Sequence, residues 1–271
     1  MNIEGQIAVI TGGASGIGRS TALALARSGA DIALADVHDA RLSEVANEVS
    51  ALGRRVLATR CDVSVDADMD ALARLVEQRL GPAGIVMNNA GVVLRGALEE
   101  IELSDWQWIM GINFFGVVRG IRAFLPGMVE RRHGYIVNTG SVSGLVALTG
   151  EGAPYIASKF GVVGLTEALA LYARPLGIGV SLLCPGGVRT NLAETSRSIG
   201  LTPDRQRNET RLAQAVQGGP ELEPDEVAEM VVDAIRSDRF LILPEDYAEL
   251  VRERGADIDA FLARRLNEGT R

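Results

Sequence analysis

The sequence predicts one α/β domain built on a doubly wound sheet of about seven parallel strands flanked by helices. Three observations carry that expectation. Short apolar runs rich in β-branched residues recur along the chain, helical segments separate most of them, and a glycine cluster follows the first run at once. Near-continuous apolar strands suit a sheet covered on both faces, and right-handed crossovers then make the doubly wound arrangement the economical one. The 271 residues are 47% hydrophobic and 23% charged, with a mean hydropathy of +0.14, so the chain can bury a sizeable core. No repeat, low-complexity tract or polar linker divides it, and residues 1–271 are read as a single domain.

The first strand is the Ile-Ala-Val-Ile run at 7–10, followed by helical periodicity over 20–28. A second apolar run at 31–35 leads into a helix over about 40–52, and further strands are expected at 55–59, 84–87, 135–139, 179–183 and 240–243. The least regular stretch, 191–224, holds Gly200, Pro203, Gly218, Gly219 and Pro220. It follows a strand's carboxyl end, where open α/β sheets take ligands, and is expected to form a substrate lid with a short helix. Residues 245–266 have helical spacing and are read as a C-terminal surface or interface helix.

Composition narrows the function. A formal charge of −8 and aromatics at 4% argue against a nucleic-acid partner, because neither a dominant basic face nor a stacking platform is available. No export signal and no run of about 18 apolar residues is present, so a membrane partner is not expected. Cys61 and Cys184 are too few for a disulfide framework and suit the reducing cytoplasm; both are read as small buried fillers. His38 and His133 lack a second ligand at metal spacing, so no metal site is expected. Trp106 and Trp108 are assigned to core packing, and Arg131-Arg132-His133 to a helix C-terminus.

The glycine cluster reads Thr11-Gly12-Gly13-Ala14-Ser15-Gly16-Ile17-Gly18, a Gly-x3-Gly-x-Gly pattern between the first strand and the first helix. Glycines there let the backbone turn sharply and approach a pyrophosphate seated at the positive end of the helix. The context points to dinucleotide binding of the Rossmann type. Asp36 ends the second strand, where a carboxylate can accept hydrogen bonds from both hydroxyls of an adenosine ribose and would repel a 2′-phosphate. Neither Val37, His38 nor Ser15 supplies the positive charge that phosphate needs, so NAD is preferred over NADP. Asp36 is also a candidate N-cap for the following helix.

Tyr155 and Lys159 stand four residues apart, on one face if the segment is helical, and Pro154 fits a helix start. Tyrosine titrates near pH 10 and is a poor base at neutrality; a nearby cation favours the phenolate. Lys159 is the only lysine among 27 basic residues. A compact ammonium can approach a phenol and a ribose hydroxyl together, which a guanidinium does less well.

Taken with Asp62 after the third strand, Asn88-Asn89-Ala90-Gly91 after the fourth, Asn113, Ser141 and Pro185-Gly186-Gly187-Val188-Arg189-Thr190, these residues appear in the order of the short-chain dehydrogenase/reductase family. The chain resembles the compact, NAD(P)-dependent branch of that family over essentially its whole length. The resemblance implies that Tyr155 is the general acid/base, that Lys159 lowers its pKa and holds the nicotinamide ribose, that Ser141 hydrogen-bonds the substrate oxygen, and that Asn113 anchors a proton-relaying water. It implies cofactor contacts from Gly12, Ser15, Gly16, Ile17, Gly18, Asp36, Asp62, Val63, Asn89, Ala90, Gly91, Pro185, Gly186, Val188 and Thr190. Ser143 is the alternative to Ser141, because Ser141 lies one residue further from Tyr155 than the family's usual spacing.

The reading is an NAD-dependent oxidoreductase interconverting a secondary alcohol and a ketone. An NADP-dependent reductase and a non-catalytic dinucleotide-sensing regulator are the alternatives. Leu145, Val146, Leu148, Leu192 and Leu201 hint at a lipophilic or cyclic small-molecule substrate. By the same resemblance, helices over 114–130 and 154–173 are subunit-contact helices, and a homotetramer or homodimer is expected.

Overall fold

The structure, a computed structural model, describes residues 1–201 and 221–269. Its strands are β1 (Ile7–Thr11), β2 (Asp31–Asp36), β3 (Val56–Arg60), β4 (Ile85–Asn88), β5 (Leu94–Gly96), β6 (Gly134–Thr139), β7 (Ile178–Leu183), β8 (Arg197–Ile199) and β9 (Leu241–Ile242). Seven of them form one parallel sheet in the order β3-β2-β1-β4-β6-β7-β9, so each run expected to be a central strand is one. The order reverses at β1, which pairs with β2 on one side and β4 on the other. Beyond the carboxyl ends of those strands lies the crevice in which such sheets bind ligands.

The helices are α1 (Gly16–Arg27), α2 (Asp39–Ala51), α3 (Asp66–Arg79), α4 (Leu103–Asn113), α5 (Phe115–Arg131), α6 (Ala153–Ala173), α7 (Pro224–Ser237), α8 (Ala248–Ala256) and α9 (Ile258–Gly269). Alternation along β1 divides the core. Ala8 and Ile10 face α1 and α7, packing with Ala22, Leu25, Val231 and Ile235, while Ile7 and Val9 face α3, α5 and α6, packing with Leu72, Phe124 and Leu169. Fully burying a side chain such as Leu25 or Ile136 contributes about 1.5–3 kcal/mol, which is why strands with almost no polar residue remain in register. Two helical stretches, Leu103–Arg131 and Ala153–Leu176, have the length and apolar content of a membrane span. Both pack on the sheet, burying Val117, Phe124 and Met128 from the first and Val162, Val163 and Leu169 from the second.

Three features depart from the sequence reading. First, β5 and β8 pair in parallel as a small second sheet, with Arg95 opposite Ser198. Of the expected lid, the described part is a short turn at Asn191–Thr195 followed by β8, and α7 begins at Pro224; residues 202–220 of the lid, with its expected helix, lie outside the described residues. Second, Trp106 and Trp108 are only partly buried on α4, and Trp108 serves as a platform for Arg197, whose guanidinium lies 3.7 Å from the ring centroid. Third, the C-terminal tail forms two helices docked through Tyr247 and Phe261 onto Val142 and Val146. Val146 and Leu148 therefore pack with the tail.

Candidate active site

The glycine loop is fixed to the loop after β4 before any ligand is considered. Thr11 Oγ1 accepts the backbone N–H groups of Asn89 (3.0 Å) and Ala90 (3.2 Å). Asn89 Nδ2 returns two bonds, to the carbonyls of Thr11 (3.2 Å) and Gly12 (3.3 Å). Gly12 and Gly16 adopt left-handed φ values of 65° and 49°. Gly18 is needed for a different reason: a Cβ there would lie 2.1 Å from the Gly12 carbonyl oxygen. Helix α1 starts with no side-chain cap and no acidic residue in its first turn, leaving its first N–H groups and positive end for a ligand.

Asp36 closes β2 and is oriented by the loop it faces. Its Oδ2 accepts the Ala14 N–H (3.1 Å) and its Oδ1 the His38 N–H (3.2 Å). The N-cap of α2 is His38, without a side-chain bond, so Asp36 shapes the turn before the helix and does not cap it. Further along, Asp62 Oδ1 accepts from the Ser64 N–H (2.9 Å) and hydroxyl (2.7 Å). Cys61 is buried against Met69, and burial, with Asp68 and Asp62 nearby, pushes its thiol up to about 12.

A cleft of about 340 Å³ runs over these loops. Of the residues named from sequence, Gly12, Ser15, Gly16, Ile17, Asp36, Asp62, Val63, Asn89, Ala90, Gly91, Tyr155, Lys159, Pro185 and Thr190 line it. Gly18, Asn113, Ser141, Gly186 and Val188 are not among the residues that line it. Gly186 makes room for the tail, since a Cβ there would fall 2.1 Å from the Tyr247 ring, and Gly187 N–H donates to the Tyr247 hydroxyl at 3.3 Å. Val188 bridges to Leu222. Sequence reasoning did not single out Val92, Ile112, Thr139, Gly140, Arg41 or Asn191, which also line the cleft. Adjacency to Ser141 was a usable signal for Thr139 and Gly140.

Tyr155 and Lys159 lie one turn apart near the start of α6, with Pro154 in its first turn. Ser141 accepts the Ser143 N–H (3.1 Å) to cap the short turn after β6, and its side chain meets the Tyr155 phenol as a hydrogen-bond partner. The alternative, Ser143, spends its N–H on Ser141 and has no such contact. Burial raises the Tyr155 pKa above its ordinary value; Ser141 and the Arg95 charge on β5 oppose that rise. Lys159 Nζ lies 5.7 Å from the Tyr155 ring centroid and donates to the Thr139 carbonyl at 2.9 Å. The ammonium is turned toward a backbone carbonyl, and the Arg95 charge is a further cation that favours the phenolate. Burial pushes Lys159 itself down to about 8.

Asn113, the last residue of α4, is fully buried. Its Oδ1 accepts the Val92 N–H (2.8 Å), and its Nδ2 donates to the Val92 carbonyl (2.9 Å) and the Ser158 hydroxyl (3.1 Å). It braces the wall beside Gly91 and Lys159, with both ends of its amide held by protein groups.

The residues present fit a nicotinamide dinucleotide: an uncapped helix end and a tight glycine turn for the pyrophosphate, an oriented carboxylate for a ribose, and a phenol and ammonium at the far end. Comparison with known proteins agrees. Residues 6–199 match the short chain dehydrogenase family model. SadH of Mycobacterium tuberculosis is 40% identical over 198 residues, covering 72% of this chain and 71% of SadH. The 3beta-hydroxysteroid dehydrogenase 2 of Eggerthella lenta is 36% identical over 219 residues, 80% of each chain. The crystal structure of a short chain dehydrogenase/reductase from Burkholderia phymatum in complex with NAD superimposes with a TM-score of 0.87 at 36% identity, over 96% of both chains.

Proposed function

The chain belongs to the short-chain dehydrogenase family, and we propose that it is an NAD-dependent oxidoreductase interconverting a secondary alcohol and a ketone, with Tyr155 as general acid/base. One observation carries the reading: Tyr155, with Ser141 against its hydroxyl, lines the same cleft as the glycine loop and Asp36. When bound, NAD supplies the hydride acceptor. Asp36 receives the adenosine ribose hydroxyls, while Ser15, Gly16 and Ile17 offer N–H groups to the pyrophosphate. Asp62 and Val63 flank the adenine, and Asn89, Ala90 and Gly91 border the path between. Pro185 and Thr190 hold the nicotinamide end, supported from behind by Gly186 and Val188. Ser141 orients the substrate oxygen, Tyr155 exchanges its proton, and Lys159 binds the nicotinamide ribose. Asn113 keeps the wall behind Lys159 in place.

The relative from Eggerthella lenta, a hydroxysteroid dehydrogenase, supports a secondary alcohol as substrate, and the NAD-bound Burkholderia structure supports NAD. Val92, Ile112 and Leu192 give the cleft an apolar wall that suits a lipophilic or cyclic alcohol. Leu103, Phe115, Leu171 and Tyr172 form exposed apolar positions on α4, α5 and α6, which supports a homodimer or homotetramer. Two buried free cysteines suit a cytoplasmic enzyme.

The test is NADH absorbance with a panel of secondary alcohols at alkaline pH. Tyr155→Phe is expected to abolish turnover with NAD affinity kept within a few-fold, and Asp36→Ala to erode the preference for NAD. A phenylalanine variant that keeps most of its activity refutes the acid/base role. Tight NADP binding by the wild type overturns the cofactor assignment, and NAD binding without turnover across the panel favours a regulator.

A further inference from the structure

The cleft carries an arginine that the adenosine-side carboxylate does not explain. Arg41 lies in the first turn of α2, five residues after Asp36, and lines the cleft together with Asp36, Val37 and His38. A guanidinium at this end is the group a 2′-phosphate would seek, since its fork of donors matches phosphate oxygens. In this structure one arm of that fork, Nη2, is already engaged. Arg41 Nη2 donates to Glu194 Oε2 at 2.7 Å, across 153 residues of sequence. Glu194 sits on the Asn191–Thr195 turn after β7, from which Asn191, Leu192 and Thr195 also line the cleft, and Asn191 Nδ2 fixes its other oxygen at 2.6 Å. The pair thus joins the loop after β2 to the loop after β7.

Resting on the reading that this cleft binds a dinucleotide, we propose that Glu194 is a specificity-determining residue: by occupying Arg41 from the opposite bank, it completes the selection for NAD that Asp36 begins. The charge balance runs the same way as the geometry. Asp36 and Glu194 place two carboxylates against one guanidinium, leaving this end net negative and repelling a phosphate dianion. Without Glu194 this end loses one carboxylate and Arg41 Nη2 loses its partner. The pair is partly solvent-exposed, with side-chain exposures of 36% and 53%, so added salt weakens it. Asp36 therefore acts by direct repulsion and Glu194 by denying the phosphate its partner.

The experiment is calorimetric titration of the full chain with NAD and with NADP, for the wild type, Glu194→Gln, Arg41→Gln and the double variant. Glu194→Gln is expected to tighten NADP binding by about tenfold, the scale of one charge-assisted hydrogen bond, while NAD affinity moves by less than about threefold. Arg41→Gln alone is expected to give no NADP gain, since it removes a positive charge and frees no donor. The double variant is expected to lose the NADP gain, and added salt to shrink it. An unchanged ratio in Glu194→Gln overturns the proposal, as does a gain that survives in the double variant, because the benefit would then not come through Arg41. Failure of the wild type to bind either dinucleotide sinks the cofactor reading and this inference together. Tight NAD binding with an unmoved ratio sinks only the role of Glu194.

Discussion

Lys159→Met is expected to raise the stability of the folded chain at neutral pH while removing the group proposed to bind the nicotinamide ribose. The Lys159 side chain is 4% exposed, its Nζ donates to the Thr139 carbonyl, and no carboxylate pairs with it among the described residues. Burial lowers its pKa from 10.5 to about 8. At about 1.4 kcal/mol per pH unit, that interval corresponds to about 3 kcal/mol of burial cost at neutrality. Methionine fills a similar volume without charge. Losing the bond to Thr139 takes back about 1–2 kcal/mol, so the net gain is about 1–2 kcal/mol. The pH dependence is the sharper measurement. Below about 8 both folded and unfolded chains hold the proton and the cost is complete; between about 8 and 10.5 the unfolded chain binds more protons, so wild-type stability climbs with pH; above 10.5 the cost has gone. The variant lacks that climb, and other titrating groups cancel in the comparison. Urea unfolding of both proteins should show the gap shifting by about 2 kcal/mol in favour of the wild type from neutral pH to about pH 9.5. A gap that does not move with pH would refute the reasoning, since the ammonium would then be no less solvated folded than unfolded.

Two further outcomes follow from the site. Arg95→Gln removes a charge that favours the Tyr155 phenolate, so the rising limb of NAD-dependent alcohol oxidation against pH should move to higher pH; an unmoved limb, or one moved downward, contradicts the role given to Arg95. Gly18→Ala places a methyl group 2.1 Å from the Gly12 oxygen, so the loop or α1 must shift, at a cost of about 1–3 kcal/mol in unfolding free energy and with NAD affinity lowered at least about tenfold. Wild-type affinity and wild-type unfolding in that variant would show that the loop tolerates displacement.

The sheet was legible because its inner strands are buried on both faces and largely apolar, and the glycine loop because its context between β1 and α1 leaves few other uses for it. Asp36 was found from its place at the end of β2, and Ser141 from its place in the motif, with Ser143, two positions on, as the alternative. β5 and β8 escaped because three residues each, Leu94-Arg95-Gly96 and Arg197-Ser198-Ile199, are too short for alternation to register and include poor strand formers. The Arg41–Glu194 pair left no trace because exposed charges carry no periodicity and 153 residues separate them. Trp108 misled for a related reason: aromatic residues are usually buried, yet this one is an open platform for an arginine from a distant strand. Val146 and Leu148 misled because apolar character does not reveal which neighbour a side chain will cover.

Tyr247 gives the chain's end a part in the chemistry. Its ring occupies the space that a side chain at position 186 would need, and its hydroxyl steadies the next amide, so the loop over 185–190 rests on a strut from beyond the stretch that matches the family model. Phe261, further along, anchors that strut to Val142 and Val146, next door to Ser141. Trimming the last two helices would thus unseat the reaction centre from behind, leaving each reacting residue in the sequence but loosening the frame that aligns them.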